Sequence, residues 1–490
     1  MRKLVSAALL LTLTLLPASA WSAPPSRDSV LAAMKKATSF MTDKIAVHGG
    51  YVWLVSDDLK RRWGEIPARP SQIWLQGGTE RMGQVFLDAW EATGDRDYLD
   101  AARRAADALV FGQHALGGWQ YFIDFDPTGT PAWYTTTASK FHWGYEEYRH
   151  FYGNATFDDR VTADAGIFLL RFYRVTQEAA YREPALKALD FVLQAQFPNG
   201  AWPQRFPLRN EYAHDGLPDY TSFYTLNDGA TQGVIQLLLY GYDTLGDPRY
   251  FDSARRGIDA IMAMQGPKGQ AAWGEQHGAD LRPIAARTHE PAGYVVRESL
   301  MCTRLLVEMY VRTGDARYLE PIPPLADWLD RVNSEIAAQK YPLPRYWEPG
   351  TNKPLYVVRT DKVNAEGYGL YIWTTDPSKT RCGDAPCKGD GKPVFDTASL
   401  RKEYEMLKRL NAQQRADRLA EWRVRGLRQP RSKEDVATII GALDARGAWV
   451  TDGNVKPVPN APTVAQESET VRGISTQVFA DRMEALIGAL

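Results

Sequence analysis

The chain has 490 residues, with 58 Lys and Arg set against 59 Asp and Glu for a formal charge of -1. That balance excludes a general polyanion binder, so an anionic ligand has to be met by a local basic patch. The composition is otherwise that of ordinary globular protein, and its 15 Trp and 24 Tyr suit either a large amphipathic core or stacking on carbohydrate.

Arg2 and Lys3 precede an apolar run from Leu4 to Leu16, and small residues follow through Ala20 and Ala23. This pattern predicts a secretory signal over residues 1–23, with cleavage after Ala20 or Ala23 and export to the periplasm or beyond. The run is too short to span a bilayer, and no later stretch reaches 18 consecutive apolar residues. The mature chain is expected to be a soluble monomer with no membrane span.

Four segments then share one plan: an apolar-periodic helix, a short turn ending in Tyr, a second helix and usually a Trp. The turns end at Tyr98, Tyr181, Tyr250 and Tyr318, separated by 83, 69 and 68 residues. Trp119, Trp202 and Trp273 follow the first three tyrosines by 21, 21 and 23 residues. Within the turns Gly suits the helix C-cap and Asp the next N-cap. Helical hairpins that cannot bury their apolar faces alone must pack on neighbours. The expectation is an all-α fold, an α/α toroid over residues 24–376, with Trp119, Trp202 and Trp273 in equivalent places.

Beyond Asn333 the helical signal gives way to loops rich in Pro and Tyr. Residues 377–490 read as a linker with a C-terminal helical extension: charged helices at about 398–425 and 433–446, a loop rich in Pro and Val over 452–472, and a last amphipathic helix. Cys382 and Cys387 are close enough in a polar segment to form a local disulfide in an oxidising compartment, whereas Cys302 lies in an apolar-periodic run and reads as a buried small residue.

The inner helices of the repeats open near acids: Glu80, Asp158 with Asp159, Asp228 and Glu298. Asp is also a favoured N-cap, so any one of these could be a simple cap. Gathered at one end of a toroid, however, their oxygens suit a hard cation such as Ca²⁺. No phosphate loop, zinc spacing or serine elbow appears, which argues against nucleotide or nucleic-acid partners.

The run Asn199-Gly200-Ala201-Trp202-Pro203-Gln204-Arg205-Phe206-Pro207, followed by Thr225-Leu226-Asn227-Asp228-Gly229-Ala230-Thr231, resembles polysaccharide lyase family 10, the pectate lyases with an α/α toroid. Ala155-Thr156-Phe157-Asp158-Asp159 resembles that family's other acidic motif. Arg345-Tyr346-Trp347-Glu348 and Val358-Arg359-Thr360-Asp361 resemble its two arginine motifs. The resemblance implies Ca²⁺ held by Asp158, Asp159 and Asp228, proton abstraction by Arg359, and substrate binding by Arg287, Arg345, Trp202 and Asn227. It further implies cleavage of polygalacturonate by β-elimination to unsaturated oligogalacturonides. Family members usually carry Asn-Gly-Ala after the first acidic Asp; here Asp159-Arg160-Val161 follows, adding a carboxylate and setting a guanidinium beside it.

The residue types agree with that chemistry. Abstracting the C5 proton of a galacturonate requires its carboxylate to be neutralised, and a cation with forked guanidinium groups can do so. Two other readings compete: an α/α-toroid glycoside hydrolase using two of the carboxylates, and a non-catalytic polysaccharide-binding relative.

Overall fold

The computed structural model describes residues 25–141, 154–208, 219–339, 342–363, 369–382, 385–386, 395–425, 432, 434–460 and 468–490. The expected signal segment and Cys387, and with it the proposed disulfide, lie outside them. Helices are α1 (Arg27–Phe40), α2 (Thr79–Thr93), α3 (Arg96–Gly112), α4 (Thr130–Thr136), α5 (Val161–Thr176), α6 (Ala179–Ala195) and α7 (Ala230–Leu245). They continue with α8 (Pro248–Ala263), α9 (Val296–Thr313), α10 (Ile322–Gln339), α11 (Thr397–Leu407), α12 (Ala412–Arg425), α13 (Val436–Gly441) and α14 (Thr476–Ile487).

The hairpins form where the turns predict them. Asp95, Asp247 and Asp315 each accept a hydrogen bond from the backbone N–H two residues on, and Tyr98, Tyr181, Tyr250 and Tyr318 are all buried. Gly94, Gly246 and Gly314 end their helices in the left-handed conformation that a C-cap of this type requires. Helices α2, α5, α7 and α9 pack side by side as an inner layer, while α3, α6 and α8 lie outside them, so the chain forms an α/α toroid.

Trp119, Trp202 and Trp273 are equivalent, as expected. Each is fully buried, and its indole N–H donates to a carbonyl of the preceding outer helix: Leu109 O at 2.8 Å, Val192 O at 2.9 Å and Ile261 O at 2.6 Å. Trp449 repeats the contact with Ile439 O at 2.9 Å. The C-terminal part therefore supplies another repeat of the ring.

This corrects the division at residue 376. Helix α14 packs on α2 through buried Phe479, Ala480, Met483 and Leu486, α13 packs on α1, and α12 packs on α9. The stretch expected as a loop over 452–472 is partly strand. Short strands connect the helices: β1 (Leu54–Ser56), β2 (Arg62–Trp63), β3 (Gln72–Trp74), β4 (Phe122–Asp124), β5 (Ala155–Thr156), β6 (Arg205–Phe206), β7 (Tyr224–Thr225), β8 (Trp273–Gly274), β9 (Gln276–His277), β10 (Tyr294–Val295) and β11 (Tyr346–Trp347). The later strands are β12 (Pro354–Val363), β13 (Gly369–Thr374), β14 (Arg381–Cys382), β15 (Ala385–Pro386), β16 (Val450–Val455) and β17 (Glu469–Ser475). Strands β16 and β17 form an antiparallel hairpin whose second strand pairs with β1, tying the end of the chain to its beginning. No helix among the described residues is long and apolar enough to cross a membrane.

Candidate active site

Helices α5 and α7 each begin just after a left-handed two-residue turn, and a hydroxyl bond spanning six residues anchors each. Helix α9 instead follows extended backbone, and its Ser299 bonds only four residues back. Thr162 Oγ donates to Thr156 O at 2.7 Å, Thr231 Oγ to Thr225 O at 2.6 Å and Ser299 Oγ to Val295 O at 2.7 Å. The turns are strapped to the neighbouring repeat as well: Phe157 N donates to Gln204 O and Leu226 N to Glu275 O, both at 2.8 Å. These straps bring acids from successive repeats to one mouth of the toroid.

Asp158 is buried, its Oδ2 accepts from Tyr121 Oη at 2.8 Å, and its Oδ1 has no hydrogen-bond partner among the described residues. Burial and then the nearby Asp228 push its carboxyl up to about 6, against the opposing pull of Arg287. Asp159 rises to about 8 through burial, then Asp158 and Asp228, while its Oδ2 accepts from Gln76 Nε2. Asp158 and Asp159 thus resist being charged together. Asp228 Oδ1 accepts from Arg297 Nη2 at 2.8 Å, and its Oδ2 lies 3.9 Å from Arg287 Nη2.

Arg160 does not sit on Asp159. Its guanidinium turns to Asp164, with Nε at 3.2 Å and Nη2 at 2.6 Å, and to Gln236 Oε1 at 2.7 Å. Its stem lies against Gly229, where an added Cβ would meet Arg160 Cγ at 3.1 Å. The extra guanidinium therefore spares the acidic cluster. Among the described residues no three His, Cys, Asp or Glu side chains converge as a ready-made metal centre.

Arg287 lies across the mouth, gripped by Glu290 through Nε at 3.0 Å and Nη2 at 2.7 Å. Burial works against the Glu290 charge, but Arg287 outweighs it and holds the carboxyl down at about 2. Arg345, with its side chain 51% exposed, is oriented by Glu275 Oε1 at 2.9 Å from Nε, while Tyr346 Oη donates to Glu275 Oε2 at 2.7 Å. Glu275, Glu290, Arg297 and Tyr121 were not legible as site residues. The available signal was positional: Tyr121, Gln204 and Glu275 each stand two residues after an equivalent Trp.

Arg359 is exposed on β12 and paired across the strands with Tyr371 of β13. The Tyr371 ring meets that of His289 at 5.5 Å, and Trp373 Nε1 donates to Thr288 O at 2.8 Å. The β12–β13 hairpin is thereby docked on the loop that carries Arg287.

Two expected substrate contacts need correction. Trp202 is 0% exposed and packed against Gly257, where an added Cβ would meet its ring at 2.4 Å, so it serves the core. Asn227 is also buried; its Nδ2 donates to Glu290 Oε1 at 2.9 Å, which makes it a support for the Arg287 clamp. Both motifs were visible in sequence, but burial was not.

Residues 129–345 match the family model described as pectic acid lyase. Over that central segment the chain is similar to pectic acid lyases. That match supports a carbohydrate-processing role for the site within it. Among curated proteins the alanine–tRNA ligases of Methanosarcina acetivorans and Methanococcus aeolicus are 31% and 35% identical over 108 and 104 residues, 20% of this chain and 11% of each ligase. The chain thus spans about a tenth of the length of those curated relatives. Among solved structures, the family 10 polysaccharide lyase from Cellvibrio cellulosa is 19% identical, covering 56% of this chain and 85% of that one with a TM-score of 0.39. A GH76 α-mannanase from Bacteroides thetaiotaomicron is 12% identical, covering 94% and 95% with a TM-score of 0.45.

Proposed function

We propose that the chain is a secreted pectate lyase that cleaves polygalacturonate by Ca²⁺-dependent β-elimination. The observation that carries this reading is the pairing of three mutually repelling carboxylates, Asp158, Asp159 and Asp228, with guanidinium groups across the same mouth. The donor set is all oxygen, and the buried, unpartnered Asp158 Oδ1 is the kind of atom that a hard cation satisfies. Asp158, Asp159 and Asp228 would hold Ca²⁺, which when bound neutralises the substrate carboxylate and acidifies the C5 proton.

In this reading Arg287 and Arg345 grip uronate carboxylates, each pre-aimed by its glutamate. Arg359 is the base that takes the C5 proton. The electrons of the C5–H bond form the C4=C5 double bond, the C4–O4 bond breaks, and O4 leaves with a proton from solvent. Product is an unsaturated uronate conjugated with its carboxylate.

The test is ultraviolet absorbance of polygalacturonate digests with and without chelator. Growth of the conjugated-product band that ceases on chelation is expected. One observation favours a hydrolase instead, namely Asp159 held up to about 8, where it could serve as a general acid. New reducing ends without ultraviolet absorbance would select that alternative and overturn the lyase.

A further inference from the structure

Strand β13 carries two aromatic side chains on one face, because Tyr371 and Trp373 are two residues apart. Their cross-strand partners are Arg359 and Val357, so all four share that face. It is the face laid on the Arg287 loop, since Tyr371 meets His289 and Trp373 Nε1 donates to Thr288 O at 2.8 Å. Trp373 nevertheless remains 41% exposed. An indole whose one donor is already committed can offer a partner only its ring face.

Resting on the lyase reading above, we propose that Trp373 forms an aromatic subsite that stacks on the C–H face of a uronate ring next to the one whose carboxylate Arg287 and Arg345 hold. The chemistry is divided between neighbours. Guanidinium groups recognise charge, and the ring recognises the apolar face of a pyranose, which a flat, rigid side chain meets at little entropic cost. Trp373 on β13 lies diagonal to Arg359 on β12, one cross-strand pair away on the same face, so a stacked ring fixes the polymer on the hairpin face that carries the proposed base.

The alternative is that Trp373 merely pins the hairpin through its bond to Thr288. Three variants separate the two roles. Trp373→Ala removes ring and bond, Trp373→Phe keeps a ring but loses the bond, and Ile372→Ala removes an apolar side chain, 50% exposed, from the opposite face. With polygalacturonate, Trp373→Ala is expected to raise KM about tenfold at nearly constant kcat, with Trp373→Phe and Ile372→Ala staying within about twofold of the parent. Wild-type KM in Trp373→Ala, or equal damage from Phe and Ala, overturns the subsite and leaves the lyase standing. If the parent forms no unsaturated product, the lyase fails, and retardation of the parent and Trp373→Ala in polygalacturonate gels decides the subsite alone: retardation lost in the variant supports it, and equal mobility overturns it.

Discussion

Asp159 and Asp228 occupy the same position in two successive repeats: both have left-handed backbones, φ 48° and φ 49°, and each precedes a second left-handed residue, Arg160 or Gly229. Asp158 consequently corresponds to Asn227, so the two sequence motifs align one residue away from the pairing of Asp158 with Asp228 that their acidity suggests. A left-handed non-glycine residue costs on the order of 1–3 kcal/mol and persists where surrounding structure enforces it. Three such residues at one mouth mark a site held in place by its straps.

Asp158→Asn is expected to lower lyase activity at least about a hundredfold and to shift its half-saturation to higher Ca²⁺, because a hard-cation site loses a charged oxygen. Rates measured against free Ca²⁺ check this. An unchanged half-saturation would remove Asp158 from the cation site.

Arg359→Lys should lower kcat by at least about a hundredfold, the lower end of general-base contributions, with little change in binding. Arg345→Lys should mainly raise KM, since the fork that Glu275 orients is lost. Steady-state kinetics on polygalacturonate separate the two, and near-normal kcat in Arg359→Lys would end its role as base.

Glu80 supplies a pH prediction away from the catalytic groups. It is buried at the start of α2, Gly77 N–H donates to its Oε1, and burial followed by Asp164 pushes its carboxyl from about 4.5 up to about 7. A folded value above the unfolded one means that the stabilising contribution is full below about 4.5 and is lost as pH rises through about 7. Glu80→Gln keeps the acceptor without the charge. Its Tm should therefore exceed that of the parent at pH 8 and approach it at pH 4; parallel Tm curves across that range would refute the buried-charge account.

Trp202→Ala should act on stability, not on substrate binding. Removing a fully buried Trp costs about 3–5 kcal/mol, and Trp202 also hydrogen-bonds to Val192 O. Chemical denaturation gives the loss directly. A stable variant with raised KM would restore the role in binding that its burial denies.

Much of the ring was legible from local chemistry. Asp95, Asp247 and Asp315 cap helices, and Trp119, Trp202 and Trp273 recur because each must reach the same carbonyl of its own hairpin. The repeat ending in Trp449 escaped notice because α13 is a short helix of Val436–Gly441, with no preceding Tyr turn to announce it. The site was only half visible. Asp158, Asp228 and Arg345 sit in recognisable motifs, but Glu275 is joined to Arg345 across 70 residues, and nothing local to either reveals the pairing. Trp202 misled for the complementary reason: aromatic residues suit sugar binding and core packing alike, and only the fold decides between them.

The tie between β17 and β1 has a consequence for how the chain acquires its shape. Thr476 Oγ donates to Val52 O across 424 residues of sequence, and the neighbouring α14 supplies the cover for α2. Until residues 476–487 are available, an apolar flank of the first hairpin faces water. The order of events is thereby biased: middle hairpins, built from local contacts, can assemble early, whereas ring closure must await the longest loop and come last and slowly. The interval before closure is the period in which the chain is most vulnerable to aggregation and to proteases.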